Sequence, residues 1–188
     1  MISTVEKLPI DGAYLFTLSS YNDNRGKYVE TWNEKDYAQY LPEGIKFIQD
    51  DFSHSYQRTL RGLHGDNKTW KLIQCIYGSI NFVMFDINTR KAYEIVLTES
   101  NHQQVLVPPQ CANGHLCLSP ECIFYYKQST FYGETEQYTI KWNDPVVINQ
   151  VKWGNVLRIN NYEHPTLKVS PILSERDDAG PFLEFRKD

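Results

Sequence analysis

Leu60-Arg61-Gly62-Leu63-His64-Gly65-Asp66 sets one histidine behind an Arg-Gly turn, inside a run that otherwise reads as β-strand. A histidine so placed can ligate a metal, move a proton, or simply pack. The metal reading needs two or three further ligands close by. The pattern it calls for is His-x-His with a glutamate a few residues on. Here Asp66 stands two positions after His64, and His54, His102, His115 and His164 fall at no ligand-like spacing. No metal site is expected. The plain reading is a structural histidine with its hydrogen bonds satisfied. The proton-transfer reading asks for more: a partner acid, an orienting carboxylate, and a substrate whose C–H is acidic enough to lose its proton. The four cysteines, Cys75, Cys111, Cys117 and Cys122, form no C-x-x-C pair. A zinc site is therefore not expected, and reduced thiols fit better than a secreted disulfide framework.

The elements that must carry these residues are short and β-rich. Lys46–Asp51, Trp70–Tyr77, Ile80–Asp86, Ala92–Leu97, Gln104–Val107, Ile123–Lys127 and Tyr138–Trp142 each read as strands, with turn residues such as Gly78-Ser79 and Asn88 to Lys91 between them. Strands repeating about every ten residues are the pattern of an all-β sandwich or barrel. A jelly roll fits, and its two sheets can enclose a cavity lined by inward polar side chains. Short peripheral helices are expected near Glu34–Tyr40 and Glu175–Ala179. The 188 residues suit one domain spanning 1–188, and 41% hydrophobic residues give it a core. Thirteen tyrosines suit a wet cleft, since the ring packs while the hydroxyl finds a polar partner. A net charge of -4 without a basic block argues against nucleic acid. No apolar run reaches the roughly 18 residues of a membrane helix. The N-terminus MISTVEKLPI lacks the basic and apolar regions of a signal peptide. A cytoplasmic location is expected.

Eight stretches then stand in one order from Asp23 to Asp177: Asp23–Trp32, Phe47–Ser53, Leu60–His64, Lys71–Ile73, Val107–Ser119, Phe124–Lys127, Ile140–Pro145 and Leu173–Asp177. In that order they resemble the dTDP-4-dehydrorhamnose 3,5-epimerase family, cupin-fold enzymes acting on nucleotide-linked 4-keto sugars. The resemblance implies an all-β, cupin-type jelly roll, a double-stranded β-sandwich. It also implies an isomerase that inverts C3, C5 or both of such a sugar, a 6-deoxyhexose or heptose. A ketone at C4 makes the hydrogens on C3 and C5 acidic, because the carbanion is delocalised as an enolate. The reaction needs a base on one face, stabilisation of the enolate oxygen, and an acid on the other face. No cofactor is needed, because the substrate's own ketone is the electron sink.

By the same resemblance His64 is the base, Tyr126 the opposing acid, and Asp177 the carboxylate that orients the imidazole, with Asp178 an adjacent alternative. A tyrosine, with a pKa near 10, is protonated at neutral pH and can donate. Lys71 matches the lysine near the keto oxygen. Arg25, Arg61 and Arg176 suit the diphosphate, where a guanidinium fork matches phosphate oxygens. Glu30, Gln49 and Asp51 match nucleotide or sugar contacts, and Tyr28 and Tyr132 are candidates to stack. Arg25 with Glu30 reads equally as an exposed ion pair across a turn. A homodimer is implied, with a strand near Gly12–Leu18 crossing to the partner's sheet.

The sequence departs from the family in three places. Cys111-Ala112-Asn113-Gly114-His115 stands where the family reads Ala-His-Gly, so Asn113 replaces a histidine and His115 lies two residues on. On a strand that offset keeps the face but moves the side chain by about 7 Å. Asn113 can bond a sugar hydroxyl or the keto group but carries no charge. Gln49-Asp50-Asp51 stands for Gln-Asp-Asn, and an added carboxylate suits the donors of guanine. The loop Gly65–Trp70 is short. Together these point to a branch acting on a modified sugar, for instance a GDP-linked 4-keto-heptose for capsule synthesis. Two other readings stand beside the epimerase. One is a sugar 3,4-ketoisomerase of similar architecture, in which a second histidine soon after the first is expected. The other is a non-catalytic sugar-nucleotide-binding jelly roll, which the Asn113 change keeps open.

Overall fold

The computed structural model of the chain describes residues 1–153 and 171–185. The strands are β1 (Ile2–Lys7), β2 (Tyr14–Leu18), β3 (Ser20–Asp23), β4 (Gly26–Val29), β5 (Gln49–Tyr56), β6 (Leu60–Gly65) and β7 (Lys71–Tyr77). They continue with β8 (Ser79–Asp86), β9 (Ala92–Thr98), β10 (Gln103–Val107), β11 (Cys111–Cys117), β12 (Glu121–Gln128) and β13 (Tyr138–Thr139). Among the described residues, three helices of one turn, α1 (Glu34–Tyr37), α2 (Pro145–Ile148) and α3 (Glu175–Asp178), lie at the periphery. The strands form two antiparallel sheets face to face, in the orders β1-β2-β10-β7-β12-β5 and β13-β6-β11-β8-β9, with β3–β4 as a separate hairpin. This is the expected double-stranded β-sandwich. No described helix is long and apolar enough to cross a membrane.

The core explains why two strands fail to alternate. Ile73 and Cys75 of β7 meet Ile80, Phe82 and Met84 of β8 between the sheets. On the far side of β7, Leu72 packs with Phe16, Leu106 and Tyr37 of α1. On the far side of β8, Val83 and Phe85 pack with Leu63, Leu116, Val147 and Trp153. Leu72–Cys75 and Ile80–Phe85 are therefore buried without interruption, as strands covered on both faces are.

Several boundaries move. The strand expected at Lys46–Asp51 starts at Gln49 and runs to Tyr56, and that expected at Tyr138–Trp142 is only Tyr138–Thr139. The helix expected at Glu34–Tyr40 is one α-turn followed by a 3₁₀ turn at Ala38–Tyr40. The segment expected to cross to a partner does not do so. As β2 it is hydrogen-bonded on both edges within its own chain, to β1 and to β10. Its apolar residues Leu15, Phe16 and Leu18 are buried there.

Two glycines set the geometry from which the site is built. A Cβ at Gly62 would lie 2.6 Å from the Gly114 Cα, and one at Gly114 would lie 2.5 Å from the Arg61 carbonyl oxygen. No side chain fits between β6 and β11 here. Their close approach puts Asn113 directly opposite His64 in the ladder. Gly114→Ala meets backbone that cannot step aside. It is expected to cost about 1–3 kcal/mol of stability, measured by urea unfolding, as overpacking does.

Candidate active site

α3 begins with a cap. Ser174 Oγ accepts from the Asp177 amide at 3.2 Å, which fixes Asp177 in the first turn with its carboxylate turned inward. Asp177 is 3% exposed. Its Oδ1 lies 2.6 Å from His64 Nε2, and its Oδ2 accepts from the Gly62 amide at 3.4 Å. A carboxylate only accepts, so in the neutral ring Nε2 carries the proton and Nδ1 keeps its lone pair. Burial pushes the Asp177 carboxyl up. The hydrogen bond and charge of His64, with the Gly62 and Ser174 contacts, outweigh it, and the group ends below the usual carboxylate range. Asp178 is exposed, and its carbonyl accepts from Lys141 Nζ at 2.8 Å. Asp177 is the carboxylate that reaches the histidine.

His64 and Asp177 open on a cavity of about 360 Å³ between the sheets. Tyr126 and Lys71 line the same cavity, from the neighbouring strands β12 and β7. Burial, then Asp51 and Tyr132, push the Tyr126 phenol up to about 12, so it holds its proton. Lys71 Nζ sits 6.0 Å from the Tyr126 ring centre. It lies on a central strand, not a surface edge. Burial makes it hold its proton less firmly than an ordinary lysine; Asp66 opposes that and Arg176 adds to it. Arg61 and Arg176 lie at the exposed rim, held by Ser55 Oγ at 3.0 Å and Thr139 Oγ1 at 3.2 Å. Three cations around one carboxylate favour an anionic ligand.

The remaining nominated residues divide. Asn113 and Tyr132 line the cavity. Gln49 and Asp51 stand behind its wall: Gln49 Nε2 and Gln128 Nε2 both donate to Asp51 Oδ2, and Gln49 Oε1 accepts from the Tyr132 amide. Arg25, Tyr28 and Glu30 are not in the cavity at all. They ride on or beside the β3–β4 hairpin, where Arg25 pairs with Asp23 at 2.6 Å and Glu30 with the N-terminal amine at 2.7 Å. The ion pair between Arg25 and Glu30 does not form. Sequence reasoning missed Phe124, His115 and Gln128 as lining residues. Period-two spacing could have found them, since Phe124 and Gln128 flank Tyr126 on one strand face and His115 follows Asn113 on another. His115 stacks on Phe124 at 4.1 Å, beneath the cavity floor, and burial, with Arg61 nearby, pulls it down to about 3 against the pull of Asp177. A larger hollow of about 650 Å³ lies between α1 and Phe47. Its charged groups, Glu34, Glu43 and Lys46, are exposed, and Lys46 pairs with Glu34 at 3.7 Å.

A base with a free lone pair, a phenol that keeps its proton and a buried ammonium in one cavity can take a proton from carbon beside a carbonyl and return one. The comparisons agree with that chemistry. Residues 7–184 match the family model of dTDP-4-dehydrorhamnose 3,5-epimerase. The enzyme of that name from Methanothermobacter thermautotrophicus is 34% identical over 74% of this chain and 78% of its own. The one from Salmonella typhimurium is 27% identical over 96% of this chain and 95% of its own. Among solved structures, dTDP-6-deoxy-D-glucose-3,5-epimerase from Legionella pneumophila, in complex with dTDP-4-keto-L-rhamnose, superposes with a TM-score of 0.84. It is 26% identical and covers 98% of this chain and 94% of that one. The dTDP-4-dehydrorhamnose 3,5-epimerase from Elizabethkingia anophelis gives 0.78 at 28% identity, covering 96% of each chain.

Asp177→Asn replaces an acceptor with an amide that can donate. The neutral His64 is expected to change from the Nε2–H to the Nδ1–H tautomer, read by ¹⁵N NMR of the ring. Because the folded Asp177 titrates below the unfolded carboxyl value of about 3.9, its stabilisation is complete above that value and lost as pH falls through the folded one. Acid unfolding of Asp177→Asn should therefore be flatter below about pH 4 than that of the native protein.

Proposed function

The chain belongs to the dTDP-4-dehydrorhamnose 3,5-epimerase family, and from that premise we propose that it inverts C3, C5 or both of a 4-keto sugar carried on a nucleoside diphosphate. The observation that carries this reading is the His64–Asp177 pair facing the same cavity as Tyr126 and Lys71. His64 Nδ1 takes the proton from the carbon beside the ketone. The electron pair moves onto the keto oxygen, where the Lys71 ammonium stabilises it. Tyr126 returns a proton to the other face, and the carbon is inverted. Arg61 and Arg176 at the rim suit the diphosphate, and Tyr132 suits the base or sugar. The ketone supplies the electron sink, so the steps need no cofactor.

The β3–β4 hairpin supports a second element of the reading, a homodimer. Arg25 is a candidate for the diphosphate, Glu30 for a nucleotide or sugar contact and Tyr28 for stacking, yet all three lie outside their own cavity, and Tyr28 is 67% exposed. The edge strand β5 also presents Phe52 and Tyr56 to solvent, 69% and 66% exposed. In a two-fold pair the hairpin of one copy serves the cavity of the other. The four unpaired cysteines are in keeping with a cytoplasmic enzyme.

In deuterated water the enzyme is expected to place deuterium at the inverted carbon of its substrate, read by mass spectrometry across a panel of dTDP- and GDP-linked 4-keto sugars. His64→Asn should lose on the order of 10²–10⁴ of that exchange while still binding the nucleotide. Binding without exchange in the native protein would leave only a binding module.

Lys71 should own the alkaline limb of kcat. Its lowered pKa means the ammonium disappears, and the rate falls, below the 10.5 of an ordinary lysine, while Tyr126 stays protonated to about 12. Lys71→Arg should push that limb upward.

If Arg25 acts across the dimer, mixing inactive Arg25→Ala with inactive His64→Asn should restore about a quarter of native activity by statistical exchange of protomers. No recovery would mean that Arg25 does not serve a partner.

A further inference from the structure

Asn113 lines the cavity opposite His64, and its amide has a fixed direction. Nδ2 lies 3.1 Å from the His64 carbonyl oxygen. A carbonyl only accepts, so the nitrogen must face it, and Oδ1 is the end left toward the cavity. Among the described residues nothing donates to that oxygen. It therefore presents an acceptor to whatever sugar sits there. It cannot be the partner of the keto oxygen, which has no proton to give; that oxygen falls to Lys71. Nor does His115 make good the missing charge. It is 2% exposed, its buried Nε2 has no hydrogen-bond partner among the described residues, and its ring is stacked on Phe124.

We propose that Asn113 Oδ1 accepts a hydrogen bond from the C3 hydroxyl of the bound sugar and so makes C3 the carbon preferentially presented to His64. The inference rests on the epimerase reading above. Of the two carbons beside a C4 ketone, C3 carries a hydrogen and a hydroxyl. C5 carries a hydrogen, the ring oxygen and the exocyclic carbon, and has no donor. Residues opposite one another in an antiparallel ladder have Cα atoms about 4.5–5.5 Å apart, so a base and an acceptor so paired can reach the hydrogen and the hydroxyl of one carbon. The same pair cannot grip C5 in this way. Asn113 is thus a specificity-determining residue, which separates the two α-carbons by the one group that only C3 owns.

The test is proton NMR of solvent exchange at C3 and at C5, in deuterated water, with a dTDP-linked 4-keto-6-deoxyhexose or its GDP-linked counterpart, whichever the native enzyme turns over. The native enzyme is expected to exchange C3 faster than C5. Asn113→Ala should lower the C3:C5 ratio by about 3- to 10-fold, the loss of one hydrogen bond. Asn113→Asp keeps an oxygen toward the sugar. It should slow both carbons, because its second oxygen confronts the His64 carbonyl, yet preserve the ratio. If Asn113→Ala slows both carbons equally, the residue only supports the His64 backbone and the proposal is wrong. Native exchange that is faster at C5 overturns it as well. Exchange at neither carbon removes the epimerase reading itself, and the proposal with it.

Discussion

One contact ties the site together: the hydrogen bond between His64 and Asp177, which lie 113 residues apart in the chain. His64 stands on a strand of the five-stranded sheet, Asp177 on a one-turn helix outside it. The carboxylate is buried, and it stays charged because the imidazole, a backbone amide and a serine compensate its desolvation. In return it fixes which imidazole nitrogen faces the cavity. Without it the ring has two tautomers of similar energy, and only one leaves Nδ1 with its lone pair. The other site groups are arranged around that choice: a phenol that burial keeps protonated and an ammonium that burial weakens.

The sandwich supplies the frame by covering both faces of its central strands. With Leu72–Cys75 and Ile80–Phe85 buried without a break, β7 and β8 cannot shift register without exposing apolar side chains. Lys71 begins one of those strands, so its backbone is anchored in a strand covered on both faces. The glycines at 62 and 114 do for β6 and β11 what the core does for β7 and β8, by bringing two backbones into contact. The fold is the cupin-type jelly roll of the family, with its polar cavity at the open end of an apolar interior.

Much of this was legible in the sequence, and the parts that were not share a cause. Strands with β-branched and aromatic runs, such as Ile80–Asp86, are visible from composition. β1 is almost wholly exposed and offers no buried face to read, and β11 is buried at every position and offers no alternation. Of the candidate site residues, His64, Lys71, Tyr126, Asn113 and Asp177 meet in one cavity. That meeting depends on strand order, which local pattern does not encode. Resemblance supplied it instead. The preference for Asp177 over Asp178 was open in the sequence because adjacent carboxylates differ only in direction. The Ser174 cap decides it, by setting the turn of the helix. The partner strand placed at Gly12–Leu18 was misjudged because an apolar segment needs a covering surface, and β1 and β10 provide one within the same chain.

The carboxylate that meets His64 is carried by a helix of only four residues. A single helical turn has no stability of its own in water. Near α3 the chain is tied to the sandwich by the bonds of Ile172 to Arg58 and Leu60, of Asp177 to His64 and Gly62, of Arg176 to Thr139, and of Lys141 to Asp178 and Pro181. Segments of this kind open locally at free energies well below that of global unfolding. The sandwich can therefore remain folded while the His64 imidazole loses its orientation. Mild denaturant or gentle heating should silence turnover in a population whose sheet signal is still native.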